Sequence, residues 1–222
     1  VAPGATWMAA RAFNSSGVAQ NSWLHAALQW MLAPNGNPAL APHVVNNSWG
    51  SSNGASTEFQ PDVQALLNAG IYPVFSAGNS GPASSTVGSP GSFSISFAVG
   101  ATTNNDEIAS FSSRGPSPWG AIKPDVSAPG NEVRSALPGG AYGNLNGTSM
   151  AAPHAAGLAA LLIQASPALT SNLNSISDVM KNTAVPLGSP IPNNSYGWGR
   201  IDAYSAVLSV AQAGILQGAI TD

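Results

Sequence analysis

The segment from Asn146 to His154, with the sequence NGTSMAAPH, places one serine between a glycine and an alanine-rich helical pattern. This serine, Ser149, is therefore predicted to lie at the N-terminus of a helix. Backbone N–H groups in the first turn of a helix have no partner within the helix, and the helix dipole favours negative charge there. An oxyanion that forms beside Ser149 would be stabilised, so the segment favours acyl transfer with Ser149 as the nucleophile. Thr148 and Ser149 are also favoured N-cap residues, which leaves a purely structural role open.

Two further segments place small, backbone-accessible residues and one amide directly after apolar runs. They are Ser48, Trp49 and Gly50, and Ser76, Ala77, Gly78 and Asn79. In open α/β sheets the functional sites lie beyond the carboxyl ends of strands, and accessible backbone lets a substrate main chain add as an extra strand. Ordinary turns are the alternative interpretation of both segments. Trp49 is then either a core aromatic or the wall of a subsite for large apolar side chains.

The elements that must position these residues follow from apolar runs and their spacing. Runs over 6–13, 43–48, 71–76 and 96–101 predict strands of a buried parallel sheet, and helical spacing predicts helices over 21–32 and 62–69. The alternation of strand and helix implies right-handed crossovers and an α/β layered fold.

The pattern changes after residue 101. Short segments punctuated by glycine and proline predict loops and antiparallel strands beside the sheet. Helices are predicted over 149–165 and 169–183, and a last helix after Asp202. No internal repeat or linker divides the chain, so residues 1–222 are interpreted as one domain or most of a larger one.

Composition excludes several classes of function. The 222 residues carry a net charge of −3 with six basic side chains, which provides no electrostatic footprint for nucleic acid or an acidic membrane. The absence of cysteine excludes disulfides and thiolate metal sites. The longest apolar run, over 155–163, is too short to span a bilayer, so we expect neither nucleic-acid nor membrane partners.

Six segments together resemble the subtilisin-like serine peptidases, the subtilases, and occur in subtilase order. They are VAPGATWMAARAF at 1–13, VVNNSWG at 44–50, FSAGNSGP at 75–82, ASFSSRGP at 109–116, IKPDVSAPG at 122–130 and the segment around Ser149. The resemblance implies a three-layer subtilisin-like α/β fold with a mostly parallel sheet. It also implies a protease secreted by a bacterium into the extracellular space. Val1 would lie inside the catalytic domain of a subtilase, so residues 1–222 are expected to be its C-terminal portion.

The resemblance assigns roles to the residues singled out above. Ser149 would be the nucleophile of a serine endopeptidase, and Asn79 would donate its side-chain amide to the oxyanion. Six residues would line the non-primed subsites and the specificity pocket for a polypeptide substrate. They are Ser48, Trp49, Gly50, Ser76, Ala77 and Gly78.

A serine nucleophile needs a base, which a third group orients. The three histidines are His25, His43 and His154, and none lies in a segment like the HGTHVAG of the family. His154 lies five residues after Ser149, about 140° around a helix, and so faces elsewhere. No DTG-like segment supplies the acid. The triad Asp and His are therefore expected upstream of Val1 or on a second chain, and the chain alone is expected to be nearly inactive. The alternative is a non-catalytic peptide-binding protein or an inactive peptidase remnant.

No metal site or other cofactor is assigned, although calcium is common in the family. The weaker calcium site of subtilases needs a glutamate two residues before the position of Asp125. Lys123 stands there, and its ammonium would take the place of the cation. Asp106 and Glu107 are the remaining candidates for calcium, and an exposed acidic turn is the competing interpretation.

Overall fold

The computed structural model describes residues 1–211. Its helices and strands, in chain order, are α1 (Asn21–Leu32), β1 (Val44–Asn47), α2 (Gln60–Asn68), β2 (Tyr72–Ser76), β3 (Phe97–Thr102), β4 (Val126–Pro129), β5 (Val133–Ala136), β6 (Tyr142–Leu145), α3 (Thr148–Ala165), α4 (Leu173–Asn182) and α5 (Ala203–Val210). The helices agree with the sequence-based prediction to within a few residues, except that 167–171 form a separate 3₁₀ turn before α4.

Strands β1 to β4 form one parallel sheet in the order β1-β2-β3-β4. The register places Val45 opposite Pro73, Phe75 opposite Ala98 and Gly100 opposite Ser127. Strands β5 and β6 form a separate antiparallel hairpin. The α/β class with a mostly parallel sheet, expected from the alternation of apolar runs, is confirmed.

Helices cover both faces of the sheet because side chains alternate along each strand. On one face, Val74 belongs to a buried cluster with residues of α3, α4 and α5. On the other face, its neighbour Phe75 belongs to a second cluster with residues of α1 and α2. Both side chains are fully buried, and each such burial contributes about 1.5–3 kcal/mol. The result is the three-layer arrangement of helices, sheet and helices.

Two strand predictions are wrong. Residues 6–13 are not a strand in the structure, and no ladder partner for them lies within residues 1–211. A strand needs a partner for its backbone groups, so an apolar run alone does not make one. Residues 126–129 were included among the loops and antiparallel strands beside the sheet, yet they form β4, the fourth parallel strand. Their pairing with β3 creates a strand that the short run VSAP does not predict.

One edge of the sheet and several large apolar side chains are exposed among the described residues. Among the described residues, β1 pairs with β2 alone, which leaves its other edge open. Trp7 is 86% exposed, and Met8 and Phe13 are also exposed. A free strand edge and exposed large apolar side chains are each typical of surfaces that another polypeptide covers.

Candidate active site

Three segments meet at the carboxyl edge of the sheet. Ser48 directly follows β1, Asn79 lies three residues after β2, and Ser149 is the second residue of α3. Hydrogen bonds join these segments across the chain, from residue 48 to 149 and from residue 79 to 148. The structure therefore brings together Ser149, the predicted nucleophile, and the segment of Asn79, the predicted oxyanion donor.

The side chain of Asn79 is held in one orientation by Thr148. The Asn79 Oδ1 atom accepts hydrogen bonds from the Thr148 backbone N–H and from the Thr148 hydroxyl, each at 2.9 Å. Because both bonds use the oxygen, the amide nitrogen remains available, and it has no hydrogen-bond partner within residues 1–211. The Thr148 hydroxyl also accepts from the Gly78 N–H at 3.2 Å, which fixes the other side of this contact.

The helix N-terminus at α3 differs in one respect from the expectation of a Thr148 cap. The N-cap position is Gly147, and Thr148 is the first helical residue. The Thr148 N–H is capped by Asn79, whose side chain comes from another segment. The next N–H, that of Ser149, has no partner among the described residues, as expected for an orphan donor of the first turn.

Gly147 creates the space between these two free donors. Its φ of 149° lies in a region that essentially only glycine adopts. A Cβ added there would lie 3.4 Å from Asn79 Nδ2 and 3.6 Å from Ser149 N. The two donors thus border the same small volume over Gly147, and two convergent N–H donors are what an oxyanion requires.

Ser48 and Ser149 are joined by two hydrogen bonds. The Ser149 hydroxyl donates to the Ser48 carbonyl at 3.1 Å, and the Ser48 hydroxyl donates to the Ser149 carbonyl at 2.8 Å. The second bond is available because Pro153 lies four residues after Ser149 and has no N–H to donate to that carbonyl. The spacing of serine and proline is visible in the sequence, but its consequence for Ser48 was not predicted.

A comparison with known protein families identifies the family of this chain. The subtilase family matches residues 1–199 of the chain, which includes Asn79, Ser149 and both predicted cleft segments. The chain belongs to the subtilase family.

Individual subtilases are similar over almost the whole chain. Bacillopeptidase F of Bacillus subtilis is 43% identical over 226 residues, which cover 95% of this chain and 15% of that protein. Subtilisin amylosacchariticus of Bacillus subtilis subsp. amylosacchariticus is 38% identical, covering 93% of this chain and 50% of that protein. Subtilisin Savinase of Lederbergia lenta is 39% identical, covering 93% of this chain and 69% of that protein. The chain thus spans half or less of the first two relatives. Its subtilase homologues are serine peptidases, the reaction class predicted from the segment around Ser149.

The cleft segments of this subtilase differ in how open their backbone is. Both backbone groups of Ala77 are bonded, the N–H to Val99 and the carbonyl to Gly88, and both of Gly78 are bonded as well. Trp49 and Gly50 have no backbone hydrogen-bond partner within residues 1–211. Among the described residues, the backbone groups of Trp49 and Gly50 are therefore free, whereas those of Ala77 and Gly78 are occupied.

Trp49 is packed from behind by two phenylalanines. Its ring meets Phe59 edge-on at 5.1 Å and Phe75 edge-on at 6.2 Å between centroids. Trp49 is half-buried, while Phe59 and Phe75 are buried. The ring is therefore a core contact that stays partly exposed, and its role as the wall of a subsite stays a prediction.

None of the three histidines bonds the Ser149 hydroxyl. His25 bonds Asp62 and Glu58, and His154 places its Nδ1 2.8 Å from the Met150 carbonyl. His43 is exposed beside the opposite end of β1. Within the described chain, the one hydrogen bond that the Ser149 hydroxyl donates goes to the Ser48 carbonyl.

Lys123 is buried next to Asp125. Its side chain is 2% exposed, and its Nζ donates to the Ser96 carbonyl at 2.5 Å and to Asp125 Oδ2 at 2.7 Å. Lys181 Nζ lies 2.9 Å from the other carboxylate oxygen. Burial alone would raise the pKa of Asp125, but the two ammonium groups and the Ala98 N–H hold it below its ordinary value. The ammonium thus supplies the positive charge next to Asp125.

Other places for a metal are not supported by the described residues. No group of three or more His, Asp or Glu side chains within 1–211 has the geometry to hold an ion. Asp106, one of the remaining calcium candidates, pairs with Arg200 at 2.6 Å.

A cavity of about 830 Å³ near Tyr72, Phe97 and Lys181 lies at the amino ends of the strands, away from Ser149. None of the described helices is long and apolar enough to cross a bilayer.

Proposed function

We propose that this chain is the C-terminal part of the catalytic domain of a secreted bacterial serine endopeptidase. In this proposal Ser149 is the nucleophile and Asn79 is an oxyanion donor. The observation that carries the proposal is the fixed orientation of the Asn79 amide. Its oxygen is occupied by Thr148, so its nitrogen and the Ser149 N–H border the same volume over Gly147.

The reaction follows from this arrangement. The Ser149 oxygen attacks the carbonyl carbon of a peptide bond, and a base takes the hydroxyl proton and passes it to the leaving amine. The carbonyl oxygen becomes an oxyanion that accepts hydrogen bonds from Asn79 Nδ2 and the Ser149 N–H. Water then hydrolyses the ester on Ser149 and releases the second product. Each oxyanion donor of this kind contributes about a hundredfold to a thousandfold in turnover, a magnitude known from subtilisin itself.

The substrate is a polypeptide in extended conformation. The free backbone groups of Trp49 and Gly50 support pairing with its main chain, as in strand addition to a sheet. Ser76, Ala77 and Gly78 would form the opposite wall, and Trp49 would contact a large apolar side chain. Ser76 and Ala77 are buried and Gly78 is half-buried, so Gly78 is the most accessible residue of this wall.

The base and its orienting acid are proposed to come from outside the chain. All three histidines are engaged elsewhere or lie away from Ser149. In subtilisin-type enzymes the chain order is Asp, His, Ser, so the first two triad members precede the nucleophile. The segment that supplies them would be an upstream part of the same protein or a second chain. The open edge of β1 and the exposed Trp7 are surfaces on which it would pack.

Labelling with a fluorophosphonate tests the proposal, because this reagent reacts with an activated serine. The intact natural protein should be labelled at Ser149, as located by mass spectrometry, and the Ser149→Ala variant should not. A matched variant, Ser84→Ala, removes an exposed loop serine and should label normally. The 222-residue chain alone should label weakly, and addition of the upstream segment should restore labelling.

Two outcomes separate the alternatives. If the intact protein binds peptides but leaves Ser149 unlabelled, the chain is a non-catalytic peptide-binding protein. If the isolated chain labels as fast as the intact protein, the base lies within these residues and the proposed origin of the triad is wrong.

A further inference from the structure

A row of aromatic rings leads from His25 on α1 to the cleft beside Ser149. The His25 ring lies 4.6 Å from the Phe59 ring, and Phe59 meets Trp49 edge-on at 5.1 Å. Trp49 directly follows Ser48, whose carbonyl accepts the Ser149 hydroxyl. A displacement of Phe59 would therefore change the support of a residue in the cleft.

His25 is held between two carboxylates. Its Nδ1 lies 2.8 Å from Asp62 Oδ2, and its Nε2 lies 3.1 Å from Glu58 Oε1. Glu58 directly precedes Phe59, and Asp62 lies in the first turn of α2. An imidazole donates from both nitrogens only when it is doubly protonated. The positive form thus connects α1 to the segment that carries Phe59.

The charges around His25 favour its protonated form. The pKa of His25 is raised chiefly by its hydrogen bond to Glu58, with burial acting in the opposite direction and Asp62 adding to the rise. The pKa of Glu58 is lowered by the same bond. His25 is the only titratable side chain on α1, and Asp62 is the only one on α2. Glu58, just before α2, and Asp62 are the charged side chains that contact the His25 ring, and His43, the other titratable group between α1 and α2, is exposed next to β1.

We propose that His25 is a positioning residue for the peptide cleft. In its doubly protonated form it ties Glu58 and Asp62 together and holds Phe59 against Trp49, so that the cleft binds an extended peptide more tightly. The neutral imidazole keeps only one N–H and releases one of the two carboxylates. The peptide affinity should therefore fall as the pH rises through the titration of His25. The binding part of this inference rests on the proposed function of the cleft.

The first arm of the test needs neither the triad nor a substrate. The pH titration of the His25 ring and of the Trp49 indole N–H is followed by NMR in the intact protein, with His25→Asn and Trp49→Phe to assign the two signals. The indole signal should titrate with the same midpoint as His25. This dependence should vanish in His25→Asn and persist in His43→Asn, which removes an exposed histidine. An indole signal that does not follow His25 would overturn the inference.

The second arm separates positioning from catalysis in the intact protein. His25→Asn should raise KM for a peptide substrate about two- to tenfold at low pH, the range expected from loss of an aromatic support, while kcat stays within about twofold. His25→Arg keeps a positive donor for both carboxylates, so it should retain the low KM and lose its dependence on pH. A fall in kcat with an unchanged KM would contradict the positioning role. If no peptide is cleaved at all, the proposed function fails, while the NMR result still decides the coupling of His25 to Trp49.

Discussion

Replacement of Lys123 by methionine should lower the stability of the chain, because the negative charge of Asp125 then loses one of the two ammonium groups that neutralise it. Methionine keeps an unbranched, apolar side chain in a site where lysine is 2% exposed. It removes the ammonium that donates to the Ser96 carbonyl and to Asp125. Asp125 would keep its contact with Lys181 at 2.9 Å and the Ala98 N–H at 2.8 Å.

The magnitude follows from these remaining contacts. Removal of one partner from a buried ion pair costs about 3–5 kcal/mol, because the other charge stays buried. The lower end applies here, since Lys181 still neutralises Asp125 in part and the desolvation of Lys123, which lowers its pKa, is relieved. A loss of about 3 kcal/mol corresponds to about 6–12 °C in Tm for a domain of this size. Lys181→Met removes a partner that is 25% exposed, so it should cost only about 0–1 kcal/mol.

Urea and thermal unfolding, followed by circular dichroism, measure these differences. The double variant Lys123→Met, Asp125→Asn removes both charges and keeps an oxygen for the Ala98 N–H. It should be less destabilised than the sum of the two single variants, because neither leaves the other charge uncompensated. Equal effects of Lys123→Met and Lys181→Met, or simple additivity in the double variant, would refute the reasoning.

Three further predictions concern the N-termini of two helices and the loss of stability at acidic pH. Gly147→Ala should cost about 1–3 kcal/mol, because of its positive φ, and should abolish Ser149 labelling in the intact protein, since the new methyl group contacts both free donors. Gly120→Ala, with φ of 81° and open space around it, is the control for the backbone cost and should leave labelling unchanged. Asp202→Ala should cost about 1 kcal/mol in urea unfolding, because the carboxylate caps the Ser205 N–H at 3.0 Å, and Asp202→Asn should retain most of the stability. The lowered pKa of Asp125 contributes stability that is present above its unfolded pKa and is lost as the pH falls through the folded one. Unfolding measured between about pH 2 and 6 should therefore vary less steeply in Asp125→Asn than in the unmodified chain.

The helices and the central strands were predictable because their signals lie in neighbouring residues. The apolar spacing over 21–32 and the run over 71–76 need no information from elsewhere in the chain. Strand β4 was not predictable in this way, since Val126–Pro129 is short and becomes a strand through pairing with β3. Residues 6–13 show the converse, because their apolar run has no partner within the described chain.

The candidate site was likewise predictable only in part. Its segments identified Ser149 and Asn79 as residues for acyl transfer, and this assignment stays a prediction until labelling tests it. The hydrogen bonds that orient Asn79 and Ser48 could not be derived, because they join residues 69 and 101 positions apart. The hydrogen bonds of His25 to Glu58 and Asp62 were likewise not predictable, because no pattern of neighbouring residues shows that α1 packs beside α2.

The sequence by itself determined the family and predicted Ser149 as the nucleophile, because both depend on short segments in a fixed order. Three contacts were decided by the tertiary structure alone. The Asn79 oxygen accepts from Thr148, and the Ser149 carbonyl, which Pro153 cannot bond, accepts from the Ser48 hydroxyl. The Lys123 ammonium donates to Asp125. Each of these is a contact between segments that meet only after the strands have paired and α3 has packed on the sheet. The chemistry of the residues is local, whereas their orientation is a property of the fold.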